Sequence, residues 1–269
     1  MEGAAPSIAW DARLYGANSA HHRSFDDGFL STLEVLPTSD ILDVGCGTGD
    51  LAARLAELTP RGSVVGIDSS ASMIGEAKRR HPAATFVECA AQDITQELGS
   101  FELVVSTAVL HWIPEAMHPE VLRRIHDVLR PGGVFRAEFG GFGQIARARR
   151  ILDEEAAAMG LTVTPPWYFP APEPYKQLLV AAGFSDTESW AALRHQRRAV
   201  PDEDSLRGWL RSQVSIAYEA SMTEPDAAVF RQRVESRAVT ELRRDDGTYD
   251  QDYIRLDLLA VVDAASQPV

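Results

Sequence analysis

Residues 45–49 read Gly-Cys-Gly-Thr-Gly, between the apolar run ILDV and the helical pattern LAARLAEL at 51–58. Glycine lets a backbone bend sharply and keeps a Cβ out of the way of a ligand lying against it. At the carboxyl end of a strand, beside a helix N-terminus, such a loop marks the expected ligand crevice. Carboxylates flank it: Asp43 precedes the loop, and Asp68 closes another apolar run 19 residues after Gly49. Asp68 is placed to accept hydrogen bonds from a ribose diol. A second group, Ser106-Thr107-Ala108-Val109-Leu110-His111-Trp112, follows a third apolar run and offers an imidazole for acid–base work.

The elements that must position these groups alternate in kind. ILDVG (41–45), SVVGID (63–68), TFVECA (85–90), FELVVST (101–107) and GVFRAEF (133–139) read as strands. Helical patterns at 51–58, 71–80 and 119–129 lie between them, the last with Val121, Leu122, Ile125, Val128 and Leu129 on one face. This alternation predicts an α/β fold with a doubly wound, mostly parallel sheet. Pro131-Gly132-Gly133 stops the preceding helix and turns the chain into a strand. A core at 38–139 and helical additions at 8–36, 140–171 and 201–248 make up one domain over 1–269. Later come a helix at 172–184, a strand at 187–196 and a final strand, YIRLDLLAVV, at 253–262.

Composition narrows the partners. The 269 residues carry 26 Lys and Arg against 39 Asp and Glu, a net charge of −13, so the general surface repels phosphate backbones. A small-molecule substrate is expected, with no nucleic acid and no membrane, in a monomer or homodimer. Two cysteines cannot build a disulfide framework. The start, MEGAAPSIAWDARLYG, lacks the basic and apolar segments of a signal peptide, which predicts a cytoplasmic setting. No spaced His, Cys or carboxylate cluster suggests a metal.

The details of the loop choose among nucleotide ligands. Glycines at 45, 47 and 49 depart from the G-x-G-x-x-G of dinucleotide sites, and Asp50 would repel a pyrophosphate. Asp43 suits an ammonium group. A ligand combining adenosine, an ammonium and no phosphate is S-adenosylmethionine. At these residues the sequence resembles the class I S-adenosylmethionine-dependent methyltransferases. LDVGCGTG (42–49) is similar to the family's first motif, GIDSSASMI (66–74) to its second, and VLRPGG (128–133) to the segment leading into its fifth strand. The resemblance implies a Rossmann-like, seven-stranded sheet with helical cap insertions. It implies cofactor contacts from Asp43, Gly45, Cys46, Gly47, Gly49, Asp68, Ser69, Met73 and Thr107, and adenine contacts from Ala91, Gln92 and Asp93. Many relatives carry Asp where this chain has Ala90.

A narrower likeness, in WDARLY (10–15), LHWIPE (110–115) and the last strand, is to trans-aconitate methyltransferases and related small-molecule enzymes. It implies O-methylation of a carboxylate or hydroxyl. Carbon methylation is the alternative within the fold, and a nucleotide-dependent oxidoreductase the alternative outside it. A carboxylate needs no base, whereas a hydroxyl or carbon acceptor does, and His111 and His22 are the candidates. Tyr15, Trp112, Trp167, Tyr168 and Phe169 are candidate substrate walls. Arg23, Arg147, Arg149 and Arg150 are candidate partners for an acidic substrate.

Overall fold

A computed structural model describes residues 28–264. The expected elements near Trp10, Tyr15, His21, His22 and Arg23 lie outside the described residues. The sheet has seven strands in the order β3-β2-β1-β4-β5-β7-β6. They are β1 (Asp40–Val44), β2 (Ser63–Asp68), β3 (Thr85–Glu88), β4 (Phe101–Thr107), β5 (Leu129–Gly140), β6 (Trp190–Val200) and β7 (Tyr249–Val261). The first five are parallel, and β7 runs antiparallel to both β5 and β6.

Strands β1, β2 and β4 follow the sequence pattern closely because their apolar middles are buried, as inner parallel strands must be, whereas the edge strand β3 stops at Glu88, before the expected Ala90. Strands β5, β6 and β7 also depart from expectation. Strand β5 already begins at Leu129, and Pro131-Gly132-Gly133 forms a register shift within it. There Gly132 adopts φ +78°, and its N–H bonds the Val262 carbonyl. Strand β6 covers 190–200 and β7 covers 249–261. Polar residues at 197–198 and 250–252 hid these extensions from an apolarity pattern.

Helices α1 (Asp50–Leu58) and α2 (Ala71–Arg80) cover one face, burying Leu51, Leu55, Ile74 and Ala77 against Ile41, Phe86 and Val105. Ser70 caps α2 by accepting from the Met73 N–H. Helices α3 (His118–Val128) and α5 (Pro172–Ala181) cover the other face. Helix α3 starts with Pro119 in its first turn and buries Val121, Leu122, Ile125 and Val128. A second hydrophobic cluster is built from α4 (Ala146–Ala158), α6 (Glu203–Trp209), a π-helical turn (Leu210–Val214), α7 (Ile216–Glu219) and α8 (Glu224–Glu241). Asp202 caps α6 through the Ser205 N–H at 2.8 Å. Among the described residues, no helix is long and apolar enough to cross a membrane.

The half of the sheet made by β5, β7 and β6 has one apolar and one charged face. Leu256, Leu258 and Ala260 join the core under α3 and α5. Their alternates do not. Asp257 pairs with Arg136 and Arg194, and Glu138 pairs with Arg255, all but Arg194 buried. The Arg136 guanidinium lies 5.3 Å from the rings of both Phe29 and Trp190, which shield it.

His118 is fully buried between α3 and α5, with Nδ1 2.9 Å from the Tyr175 hydroxyl and Nε2 3.2 Å from the Ile113 carbonyl. Burial pulls its pKa from 6.5 down to about 4, against the opposing bonds to the Ile113 and Leu110 carbonyls. The unfolded chain therefore binds a proton near pH 6.5 that the folded chain refuses until about pH 4. Stability from this group is complete above pH 6.5 and should fall by up to about 3 kcal/mol as pH drops toward 4. Urea titrations across that window should show the loss, and His118→Asn should flatten it.

Candidate active site

Strand β1 lies where the chain reverses its order across the sheet, between β2 and β4, so the loops leaving these strands part and open a crevice. The glycine loop is bolted to one side of it. Gly45 and Cys46 both donate to the Ile67 carbonyl, at 2.7 and 2.8 Å. Gly45 sits at φ +77°, and a Cβ there would come 2.2 Å from Val109. Gly47, at φ +53°, is the opposite case: a Cβ would meet nothing within 4 Å. Its main chain faces open space, as a cradle for a ligand requires.

Asp68 ends β2 beside this cradle. Its Oδ2 accepts from the Gly47 N–H at 3.1 Å and its Oδ1 from the Ser70 N–H at 2.8 Å. Burial pushes its pKa up, while the two amide bonds pull the other way. The Cys89 N–H donates to the Asp68 carbonyl at 3.0 Å, which brings the turn Ala91-Gln92-Asp93 to the same edge. Asp43 is buried within β1. The Ser106 hydroxyl bonds the Val44 carbonyl, so Thr107 at the end of β4 borders the loop. Ser69 is exposed after Asp68, whereas Met73 is buried in α2. Burial first, then the Asp43 and Asp68 carboxylates, push the Cys46 thiol far up, so the sulfur stays protonated.

Asp50 does not stand as an open negative charge. Arg80 forks both its oxygens at 2.7 Å and the Thr48 hydroxyl adds a third bond. Its pKa ends below the ordinary value although burial pushes the other way. Repulsion of a pyrophosphate by Asp50 is accordingly weakened. The glycine spacing and the carboxylate of Asp68 carry more of the discrimination.

A second cleft lies at the carboxyl ends of β4 and β5, under the helical cluster. His111 sits in a 3-10 turn, Leu110–Trp112, rather than on a strand end. Its Nδ1 accepts from the Gly140 N–H at 3.2 Å. The neutral ring then carries its proton on Nε2. Trp112, Trp167 and Phe169 line the cleft with it, in mutual ring contact at 5.7 to 5.8 Å. Tyr168 does not line it. Its ring packs instead on His118 and Tyr175. Arg147, Arg149 and Arg150 do not reach it either. They pair with Asp250, Asp153, Glu154 and Glu241 on the outer side of α4. Helix periodicity had already forbidden all three from sharing one direction.

Residues that sequence reasoning passed over complete the lining: Gln144, Gln213, Tyr253 and Arg255. For Arg255 a signal existed, an arginine set into the apolar run of the last strand. Three backbone irregularities converge here. Ala108 and Ile145 hold φ of +58° and +49°, and the π-helical turn presents Gln213 and Val214. Left-handed geometry at a β-branched residue costs about 1–3 kcal/mol and gathers at functional sites. The Asp252 carbonyl holds Ile145 in place through its N–H at 2.8 Å.

Comparison with known proteins agrees with this geometry. The family described as Methyltransferase domain matches residues 41–133. A trans-aconitate 2-methyltransferase of Deinococcus radiodurans is 30% identical over 218 residues, 72% of this chain and 76% of that protein. An uncharacterized methyltransferase of Schizosaccharomyces pombe is 28% identical over 266 residues, 95% of this chain and 98% of that one. Among solved structures, a putative methyltransferase of Bacillus halodurans superposes with a TM-score of 0.61 at 15% identity, over 90% of this chain and 100% of that one. The Haemonchus contortus phosphoethanolamine N-methyltransferase 2, solved with S-adenosylhomocysteine, gives 0.58 at 18% identity over 94% of this chain, which spans 57% of that longer protein. The chain belongs to the class I S-adenosylmethionine-dependent methyltransferases. Its cofactor is S-adenosylmethionine, and the open cradle at Gly47 beside the half-buried Asp68 fits that molecule.

Assigning Asp68 to the cofactor ribose has a measurable consequence. Asp68→Ala should weaken binding of S-adenosylhomocysteine by about 1–3 kcal/mol in calorimetry. Because its pKa is raised, affinity should also fall as pH drops through a value above 3.8. Unchanged affinity in the variant would refute the assignment.

Proposed function

We propose that this methyltransferase acts on a carboxylate oxygen of a small organic acid. The observation that carries the reading is the orientation of His111. A hydroxyl or carbon acceptor must lose a proton to a base, yet the unprotonated nitrogen of this ring faces the Gly140 N–H. A carboxylate is ionised at neutral pH and asks for no base. The donor set of the cleft points the same way: Arg255 and the side-chain amides of Gln144 and Gln213 line it, and among the described residues no Asp or Glu does. That is notable in a chain of net charge −13. Relatives named trans-aconitate 2-methyltransferase add support.

When bound, S-adenosylmethionine supplies a methyl group already activated on a sulfonium. The protein's part is alignment and desolvation. Holding two reactants in line is worth about 7–11 kcal/mol. Trp112, Trp167 and Phe169 exclude water from the acceptor oxygen, and a poorly hydrated carboxylate is the better nucleophile. His111 lines the cleft with Arg255, Gln144 and Gln213, so a bound carboxylate would lie against its ring with one oxygen toward the donor crevice. The ring holds its orientation because Gly140 fixes Nδ1 and the His111 carbonyl accepts from the Tyr168 N–H at 3.0 Å.

The test is methyl transfer from tritium-labelled S-adenosylmethionine to a set of small acids and phenols, followed by mild base. Volatile methanol is expected, the mark of a methyl ester. A base-stable label would overturn the reading in favour of an ether or carbon product. His111→Ala should lower kcat about tenfold, as for one lost hydrogen bond. A loss beyond about a thousandfold would return His111 to the role of base.

A further inference from the structure

We propose that Arg255 is a specificity-determining residue that holds a second, non-reacting carboxylate of the acceptor; the inference rests on the carboxylate reading above. Arg255 is buried, and among the described residues it is the one Lys or Arg lining the cleft. Its partners hold one edge of the guanidinium. Nε donates to Glu138 Oε1 at 3.3 Å and Nη2 to the Glu138 carbonyl at 2.8 Å. The face of Tyr253 lies 5.8 Å below the plane. The N–H groups of Nη1 have no partner among the described residues. A fork immobilised by one edge is preorganised for a planar anion at the other.

Charge balance favours an anionic visitor. The polar face of β5, β7 and β6 sets Arg136, Arg194 and Arg255 against Glu138 and Asp257, one cation in excess among the described side chains. Glu138 is further engaged by the Gln196 amide at 3.3 Å, so its capacity to neutralise Arg255 is shared. Gln144 adds a donor of fixed direction. Its Oε1 accepts from the Ile254 N–H at 2.6 Å, which turns its NH2 group away from that strand.

Register sets the arrangement. Gly140 and Arg255 are directly opposed in the antiparallel ladder, and the Gly140 N–H holds the His111 ring. His111 and Arg255 are thus held to opposite sides of one glycine and line the same cleft, so an acceptor with two acid groups can meet both. The carboxylate in the guanidinium fork is not the one methylated, because two charge-assisted N–H bonds hold its charge and make it the weaker nucleophile. An acceptor with at least two carboxylates follows, and its monoester product keeps the anchored one.

The experiment measures two quantities on wild type, Arg255→Gln and Arg255→Lys: calorimetric binding of trans-aconitate and crotonate to the S-adenosylhomocysteine complex, and kcat/KM for both acids. Wild type should bind and methylate the tricarboxylate better. Both variants should weaken trans-aconitate binding about 10- to 100-fold and leave crotonate within about threefold. Lysine is included because it keeps the buried charge beside Glu138 and so protects folding, while lacking the fork. S-adenosylhomocysteine affinity should stay at the wild-type value in any variant scored. Equal losses on both acids, or no binding of trans-aconitate by wild type, would overturn the assignment. Binding that depends on Arg255 without methyl ester formation would uphold the anchor and sink the carboxylate reaction instead.

Discussion

The reversal of β7 is the constraint on which the site depends. A strand inserted antiparallel between β5 and β6 runs its early residues along the edge where the parallel strands end. Its first half therefore faces the crevice, and its second half fills the core with Leu256, Leu258 and Ala260. Antiparallel pairing also sets residues directly opposite each other, which is how Gly140 meets Arg255. A parallel strand at this position would present its amino end on the far side of the sheet, and the cleft would lose its arginine.

The same strand explains why a charged face can persist inside the protein. Buried ions are costly unless each finds partners with good geometry. Here Asp257 serves two arginines, Glu138 serves Arg255 through both side chain and carbonyl, and aromatic rings bracket Arg136. Each charge lies on the face opposite the core under α3 and α5, with Phe29 of the other apolar cluster packed on Arg136. Nearby strain at Ala108 and Ile145 is held by main-chain bonds to Glu138 and Asp252, the same two strands.

Legibility in the sequence followed the physics of each region. Strands β1 to β4 and the helices between them declare themselves by apolar runs, caps and glycines, and the cofactor crevice follows from Gly45 to Asp68. The aromatic cleft is less legible because its residues come from five separate segments that only the fold brings together. Trp112, Trp167 and Phe169 could be named because aromatic clusters stand out. Arg147, Arg149 and Arg150 drew attention because they are crowded in sequence, yet crowding on a helix spreads side chains outward, where they meet carboxylates. Arg255 carried a signal, one arginine in a run of leucine and valine, but a lone charge there does not tell which cleft it faces. Extended β6 and β7 were hidden because polar residues interrupt their apolar alternation. His111 stood out in sequence as a candidate, but the bond that orients its ring comes from Gly140 on β5, far along the chain.

The hydrophobic core under the sheet and the one inside the helical roof are separate clusters. Substitutions that repack the roof therefore propagate among α4, α6, α7 and α8 before they reach the glycine loop. Such an arrangement lets the helical roof be repacked while the glycine loop keeps its shape. The family match at residues 41–133 covers the loop and stops before most of the roof. Strain from a roof substitution would reach the sheet first through β7, whose early residues underlie the roof and whose later ones lie in the core.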